Sequence, residues 1–203
     1  MLNGPRNGTA ATLQLVEGDR GVDLGAAERA AYDLLVALGA DLESDHLRET
    51  PRRVAAAYAE LLTPRPFNAT TFPNDEDYDE LVIVGEIPFQ SLCAHHLLPF
   101  QSKAHVAYLP GDRLVGLSKL ARVVELYSRR LQLQERLTTQ VADWVEEHLQ
   151  PRGVGVVLQA EHLCMSLRGV QTAGSNTITS ALRGAVKDDA RTRQEFLSLI
   201  NSG

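Results

Sequence analysis

Apolar residues fall into two regimes along this chain, and the change between them divides it. From Asp23, residues Ala27, Ala31, Leu34, Leu35 and Leu38 recur on one face of a helix over about 24–38, with Gly39 at the position that ends it. A second helix is predicted from Thr50 to Leu62. Thr50 can cap it, and Pro51 suits the first helical position because its missing N–H would be unpaired there anyway. The stretch Phe67 to Asp79, rich in Pro, Asn, Thr and acid, is predicted to be a loop.

The period then shifts. Leu81 to Phe89 is β-branched and strand-like, and Ala104 to Leu109 is a second strand ending at the turn Pro110-Gly111-Asp112. Ser118 can cap a helix over about 119–130 with Leu120, Val123, Val124 and Tyr127 inward. Another follows over about 134–149 with Leu137, Val141, Trp144, Val145 and Leu149 inward. Val154 to Leu167 reads as a long strand, Asn176 to Ala181 as its hairpin partner, and Ala190 to Ile200 as a terminal helix. Two strands, two helices and two strands behind a helical pair indicate an α+β fold with an antiparallel sheet, the helices on one face. Residues 1–22 lack periodicity and are expected to be a flexible tail. Residues 23–203 are then one domain, with the helical pair in 23–66 and the core in 80–203.

Composition narrows the class. The 203 residues are 44% hydrophobic, enough for a real core, but only 5% aromatic, so Val, Leu and Ala do most of the packing. The formal net charge of −6 disfavours general binding to nucleic acid or to anionic membranes. No apolar run of about 18 residues occurs, and no charged-then-apolar leader opens the chain. Two cysteines far apart in such a chain point to metal ligands or buried thiols rather than a disulfide, and to the cytoplasm.

The candidate chemistry gathers around Cys93-Ala94-His95-His96 and His162-Leu163-Cys164. A Cys-x-x-His turn can aim a thiolate and an imidazole at one ion. On a strand, His162 and Cys164 would share a face. Such thiolate and imidazole donors suit zinc or a similar borderline metal; three would leave a position open to water, and four would close the site. If the Cys93–His96 segment is extended, His95 and His96 point to opposite faces, one as ligand and one as proton carrier. The bland alternative is two buried thiols and ordinary polar histidines. In Gly116-Leu117-Ser118-Lys119-Leu120-Ala121-Arg122, a helix N-terminus with Lys119 and Arg122 on one rim suits phosphate, or is simply a capped surface helix. Arg168 would share the metal-side face of a regular strand, or is solvated at its end. Arg52 and Arg53 read as solvated by pattern alone. Glu135, in Gln134-Glu135-Arg136, either complements the helix dipole or accepts two N–H donors from a guanine edge.

Taken in order, Thr50-Pro51-Arg52-Arg53-Val54-Ala55, Cys93-Ala94-His95-His96, Gly116 to Arg122, Gln134-Glu135-Arg136-Leu137-Thr138, and His162-Leu163-Cys164-Met165 with Arg168-Gly169 resemble GTP cyclohydrolase I from the first helix to the last. The resemblance implies a tunnelling fold assembled into ring-shaped barrels, as a homodecamer of two pentamers with active sites shared between subunits. It implies zinc-dependent conversion of GTP to 7,8-dihydroneopterin triphosphate and formate, feeding tetrahydrofolate or another pteridine. By position, Cys93, His96 and Cys164 match the zinc ligands, and His95 and His162 the acid–base histidines. Ser118 matches a further proton handler. Gln134 and Glu135 match the residues that hold guanine. Ser118, Lys119, Arg122 and Arg168 match the triphosphate and ribose pocket, and Arg53 an arginine reaching in from a neighbouring subunit. The chain departs from the pattern at Ala94, where Glu is usual, and at Ser102, where Gly is common. A lost carboxylate at position 94 would alter support around the metal. A rival reading is a non-catalytic, zinc-stabilised protein of the same fold that holds a purine or pterin.

Overall fold

The structure, a computed structural model, describes residues 11–15 and 21–201. The described residues fall into two compact units, 21–63 and a larger one of 11–15 with 64–201.

The smaller unit holds α1 (Leu24–Ala37) and α2 (Thr50–Leu62). Asp23 starts α1, its carboxylate accepting from the Ala26 N–H at 2.8 Å. Gly39, at φ +84°, ends it, and the Gly39 and Ala40 N–H groups donate to the carbonyls of Val36 and Leu35. At α2 the N-cap is Glu49, one residue before the Thr50 expected there, and no side chain makes a capping bond. Ala31 and Ala55 are buried, whereas Leu34 and Leu38, read as part of the α1 inner face, are 58% and 74% exposed. The buried contact of each helix is made at small residues, so the larger apolar ones on the stripe stay uncovered in the single chain.

In the larger unit, β1 (Ala11–Leu15), β2 (Phe67–Pro73) and β5 (Arg113–Val115) form an antiparallel sheet in the order β1-β2-β5. Two expectations are corrected here. Residues 11–15 of the expected tail are a strand, while 1–10 and 16–20 lie outside the described residues. Residues 67–73, expected as loop, are the central strand. Ala69 and Thr71 point inward at period two, and the Arg113 guanidinium donates to the Thr71 hydroxyl at 2.6 Å. The Asn and Pro content of the stretch masks that alternation.

The main sheet contains β3 (Val82–Cys93), β4 (Pro99–Leu109), β6 (Leu131–Gln132), β7 (Gly153–His162) and β8 (Thr177–Arg183), in the order β6-β3-β4-β7-β8. All pairs are antiparallel except β3 with the two-residue β6. The centre is the β4–β7 pair, in unbroken register from Phe100 opposite His162 to Leu109 opposite Gly153. Ala104, Val106 and Tyr108 of β4 and Val154, Val156, Leu158 and Ala160 of β7 share the main core with α3 (Leu117–Ser128) and α4 (Gln134–Leu149). Leu120, Val123, Val124, Leu137, Val141, Val145 and Leu149 supply the helix side, the positions that the 3.6 period selects. β7 is followed by one helical turn, α5 (Leu163–Ser166), and β8 by α6 (Gly184–Asp188) and α7 (Ala190–Ile200). Val186 and Phe196 of these last helices pack on Ala107 and Val157, the alternate residues of the central strands. Helices therefore cover both faces, not one. Gly155 makes this possible: a Cβ there would lie 2.8 Å from the Phe196 ring.

Pairing of β3 with β4 slips between Val84 and Ile87, where Glu86 takes φ +53°. The slip aims the Glu86 N–H at Nδ1 of buried His105 and its carboxylate at Lys103 Nζ, 2.8 Å away.

Candidate metal centre and its surroundings

Cys93 is the last residue of β3, and Ala94 to Leu98 turn back into β4. The turn is fixed by its own backbone: the N–H groups of His96 and Leu97 donate to Cys93 O, Cys93 N–H donates to Leu98 O, and Leu97 takes φ +56°. The Ala94 N–H donates to Gln132 O at 2.9 Å, tying the turn to β6. Because the segment is a turn rather than extended, both neighbouring imidazoles fall on the cysteine's side. Ligand atoms of Cys93, His95 and His96 lie within 4.8 Å of one another, and Cys93 Sγ is 3.7 Å from His96 Nδ1. The Ala94 side chain is exposed, as are those of His95 and His96.

Cys164 does not sit on a strand with His162. β7 stops at His162, and Cys164 lies in the first turn of α5. It nonetheless meets Cys93. Both thiols are free and buried, and they lie close enough to act on each other electrostatically. Burial, then the adjacent Cys93, pushes the Cys164 thiol above its ordinary value, with Arg168 opposing. Cys93, His95 and His96 form the close group, with the Cys164 sulfur beside Cys93 but outside it. Thiol and imidazole are the soft and borderline donors that zinc selects, and a cation there would favour the Cys164 thiolate that burial disfavours. Cys93, His96 and Cys164 could hold such an ion, with His95 beside them.

His162 lies on the other flank. Its ring stacks on Phe100 at 4.7 Å with the planes 1° apart, a contact set by the β4–β7 register. Its Nε2 is 2.7 Å from Gln134 Oε1. Burial holds the imidazole below its ordinary pKa, while nearby Glu135 pulls the other way. Gln134 begins α4 and is 1% exposed, its amide bonded inside the chain to Leu158 O, Thr177 O and the Thr179 hydroxyl. Glu135 and Arg168 are exposed.

The remaining predicted residues lie elsewhere. Gly116, not Ser118, is the N-cap of α3, so Ser118 stands in the first turn, exposed. The end of α3 nearest the metal turn is its C-terminus: just beyond it, Arg130 O accepts from the Ser91 hydroxyl and Gln132 holds Ala94. At the rise of an α-helix, Ser118 is roughly 15 Å along the axis from Ser128. Within one chain Ser118 and Lys119 are therefore not brought to the cysteines. Arg122 is one turn closer and is bonded to Glu125 at 2.8 Å. Arg53 belongs to α2 of the helical unit.

Sequence reading passes over Phe100, Gln132, Thr138 and Thr179. Thr138 stands four residues after Gln134 and its hydroxyl donates to Gln134 O at 2.7 Å, a spacing visible in the sequence. Phe100, Gln132 and Thr179 are joined to the site only through strand register.

Among the described residues no helix is long and apolar enough to cross a membrane. The family model for GTP cyclohydrolase I matches residues 27–201. A GTP cyclohydrolase 1 from Streptococcus agalactiae is 52% identical over 180 residues, covering 87% of this chain and 96% of that one. One from Streptococcus thermophilus is 53% identical over 177 residues, covering 85% and 95%. Another, from Thermobifida fusca, is 49% identical over 185 residues, covering 89% of each. Identity near one half across almost the whole of both chains, on top of the cysteine and histidine geometry, places this chain in the GTP cyclohydrolase I family, as an enzyme of that kind.

Proposed function

We propose that the chain opens the imidazole ring of the guanine of GTP, releases formate and forms 7,8-dihydroneopterin triphosphate, with zinc held by Cys93, His96 and Cys164. The observation that carries this is the close grouping of Cys93, His95 and His96 in one turn, with the buried Cys164 thiol of a separate element next to Cys93. Zinc bound there supplies an activated water and a fixed positive charge. His95 handles the proton at a purine ring nitrogen, and His162 and Ser118 those of the ribose rearrangement. Glu135 accepts two N–H groups of the guanine edge, a pairing that discriminates strongly against other purines. Ser118, Lys119, Arg122 and Arg168 offset the triphosphate charge, with Arg53 added from a neighbouring subunit.

The position of Ser118 and Lys119 on the far part of α3 supports a site completed between copies, in a ring-shaped homodecamer of two pentamers with the tunnelling fold. The product would feed tetrahydrofolate or another pteridine in the cytoplasm. The non-catalytic alternative rests on Ala94 alone, a position that is not among the proposed ligands.

The test is incubation of purified protein with GTP. Formate and, after oxidation, a fluorescent pterin are expected, lost with a chelator and restored by added zinc. Full turnover in Cys164→Ala would overturn the metal assignment, and GTP binding without formate would overturn the reaction.

A further inference from the structure

Gln134 makes more hydrogen bonds inside the protein than a substrate-reading side chain can spare. Its Nε2 lies 3.2 Å from Leu158 O, 3.0 Å from Thr177 O and 3.1 Å from Thr179 Oγ1. Two of those partners are backbone carbonyls, which only accept, so the nitrogen of the carboxamide must face them. The hydroxyls agree. Thr138 donates to Gln134 O at 2.7 Å, which leaves it to accept from Thr179 at 2.6 Å, which in turn leaves Thr179 to accept from Gln134 Nε2. This ring of bonds closes on Gln134 itself and has one consistent direction. Oε1 is thereby the atom turned to His162, 2.7 Å away. A carbonyl oxygen accepts, so the hydrogen between them belongs to His162 Nε2. Phe100, stacked flat on the imidazole, opposes rotation of the ring. Among the described residues His162 Nδ1 has no hydrogen-bond partner.

We propose that Gln134 is a positioning residue that fixes the His162 imidazole with its hydrogen on Nε2 and leaves the Nδ1 lone pair as the acceptor of the ring. The role assigned to Nδ1 rests on the reading of His162 as a proton handler in GTP ring opening; the tautomer does not. The Gln134 nitrogen then has no donor left for guanine, and donor-reading of the base falls to Glu135. A glutamine serves here where an aspartate would not. It supplies an acceptor to the imidazole and two N–H donors, one to Thr179 and one shared between the Leu158 and Thr177 carbonyls, with no net charge buried.

The experiment is a solid-state 15N spectrum of full-length, histidine-labelled protein as purified, with the His162 ring assigned by its absence in His162→Gln. A proton on Nε2 and a bare Nδ1 are expected. A bare Nε2 overturns the proposal whether or not the protein turns over GTP. Steady-state kinetics of Gln134→Leu add a second reading. A fall in kcat on the order of 100-fold with KM for GTP little changed is the result for a positioning residue. A raised KM with kcat kept would instead make Gln134 part of the guanine pocket and overturn the proposal. Should that variant fail to fold, the spectrum of the unaltered protein decides alone.

Discussion

Cys164 reaches Cys93 because β7 ends at His162, two residues before it, and gives way to a helical turn. A regular strand would have put His162 and Cys164 on one face; the helical turn instead gives the imidazole to Gln134 and the sulfur to Cys93. The residue types and their spacing made both cysteines and all three histidines legible in the sequence. Their division of labour was not legible, because it depends on where the strand stops. Phe100 and Thr179 were invisible for a related reason, since each meets the site through a neighbouring strand. Two outcomes belong at this scale. Cys164→Ala should lower bound zinc per chain, measured by elemental analysis of dialysed protein, by removing one of three proposed ligands. Glu135→Ala should raise KM for GTP about 10- to 100-fold, the cost of losing hydrogen bonds to a charged acceptor.

Among the elements, the helices were the best read. Their stripes of Leu and Val in α3 and α4 are the buried faces observed, since burial of one face is what the period encodes. The strand over residues 67–73 was missed because β structure is decided by partners on either side, here β1 and β5. The α7 docking site shows how one strand position governs an element. Gly155→Ala would push a methyl group into the Phe196 ring and should destabilise the fold by about 1–3 kcal/mol. Phe196→Ala, emptying a fully buried aromatic site, should cost about 3–5 kcal/mol. Denaturant titration of the double variant should show a loss smaller than the sum, because the added methyl then meets a cavity instead of a ring.

For the whole molecule, His105 sets a dependence on pH. Burial holds its imidazole below the ordinary 6.5, with Glu86 favouring and Lys103 disfavouring its protonation. The unfolded chain therefore takes up this proton first as the solution is acidified. The contribution of His105 to stability is present above about 6.5 and is lost as pH falls through the lower folded value. His105→Gln keeps an acceptor for the Glu86 N–H but cannot titrate, so its unfolding midpoint should vary less than that of the parent between about pH 5 and 7. At the same scale, sedimentation should give a species of decameric mass rather than one chain of 22.2 kDa.

The place of β8 at the margin of the sheet carries a last consequence. Thr177 O and Thr179 Oγ1 on that strand are two of the three groups that hold the Gln134 amide. Fraying there would free the glutamine to rotate, and the imidazole with it, while the packed interior stayed intact. Catalytic competence would thus depend on an edge strand of the main sheet. Whatever clamps that border in the working enzyme would tune the proton chemistry from a distance, with no contact to the nucleotide.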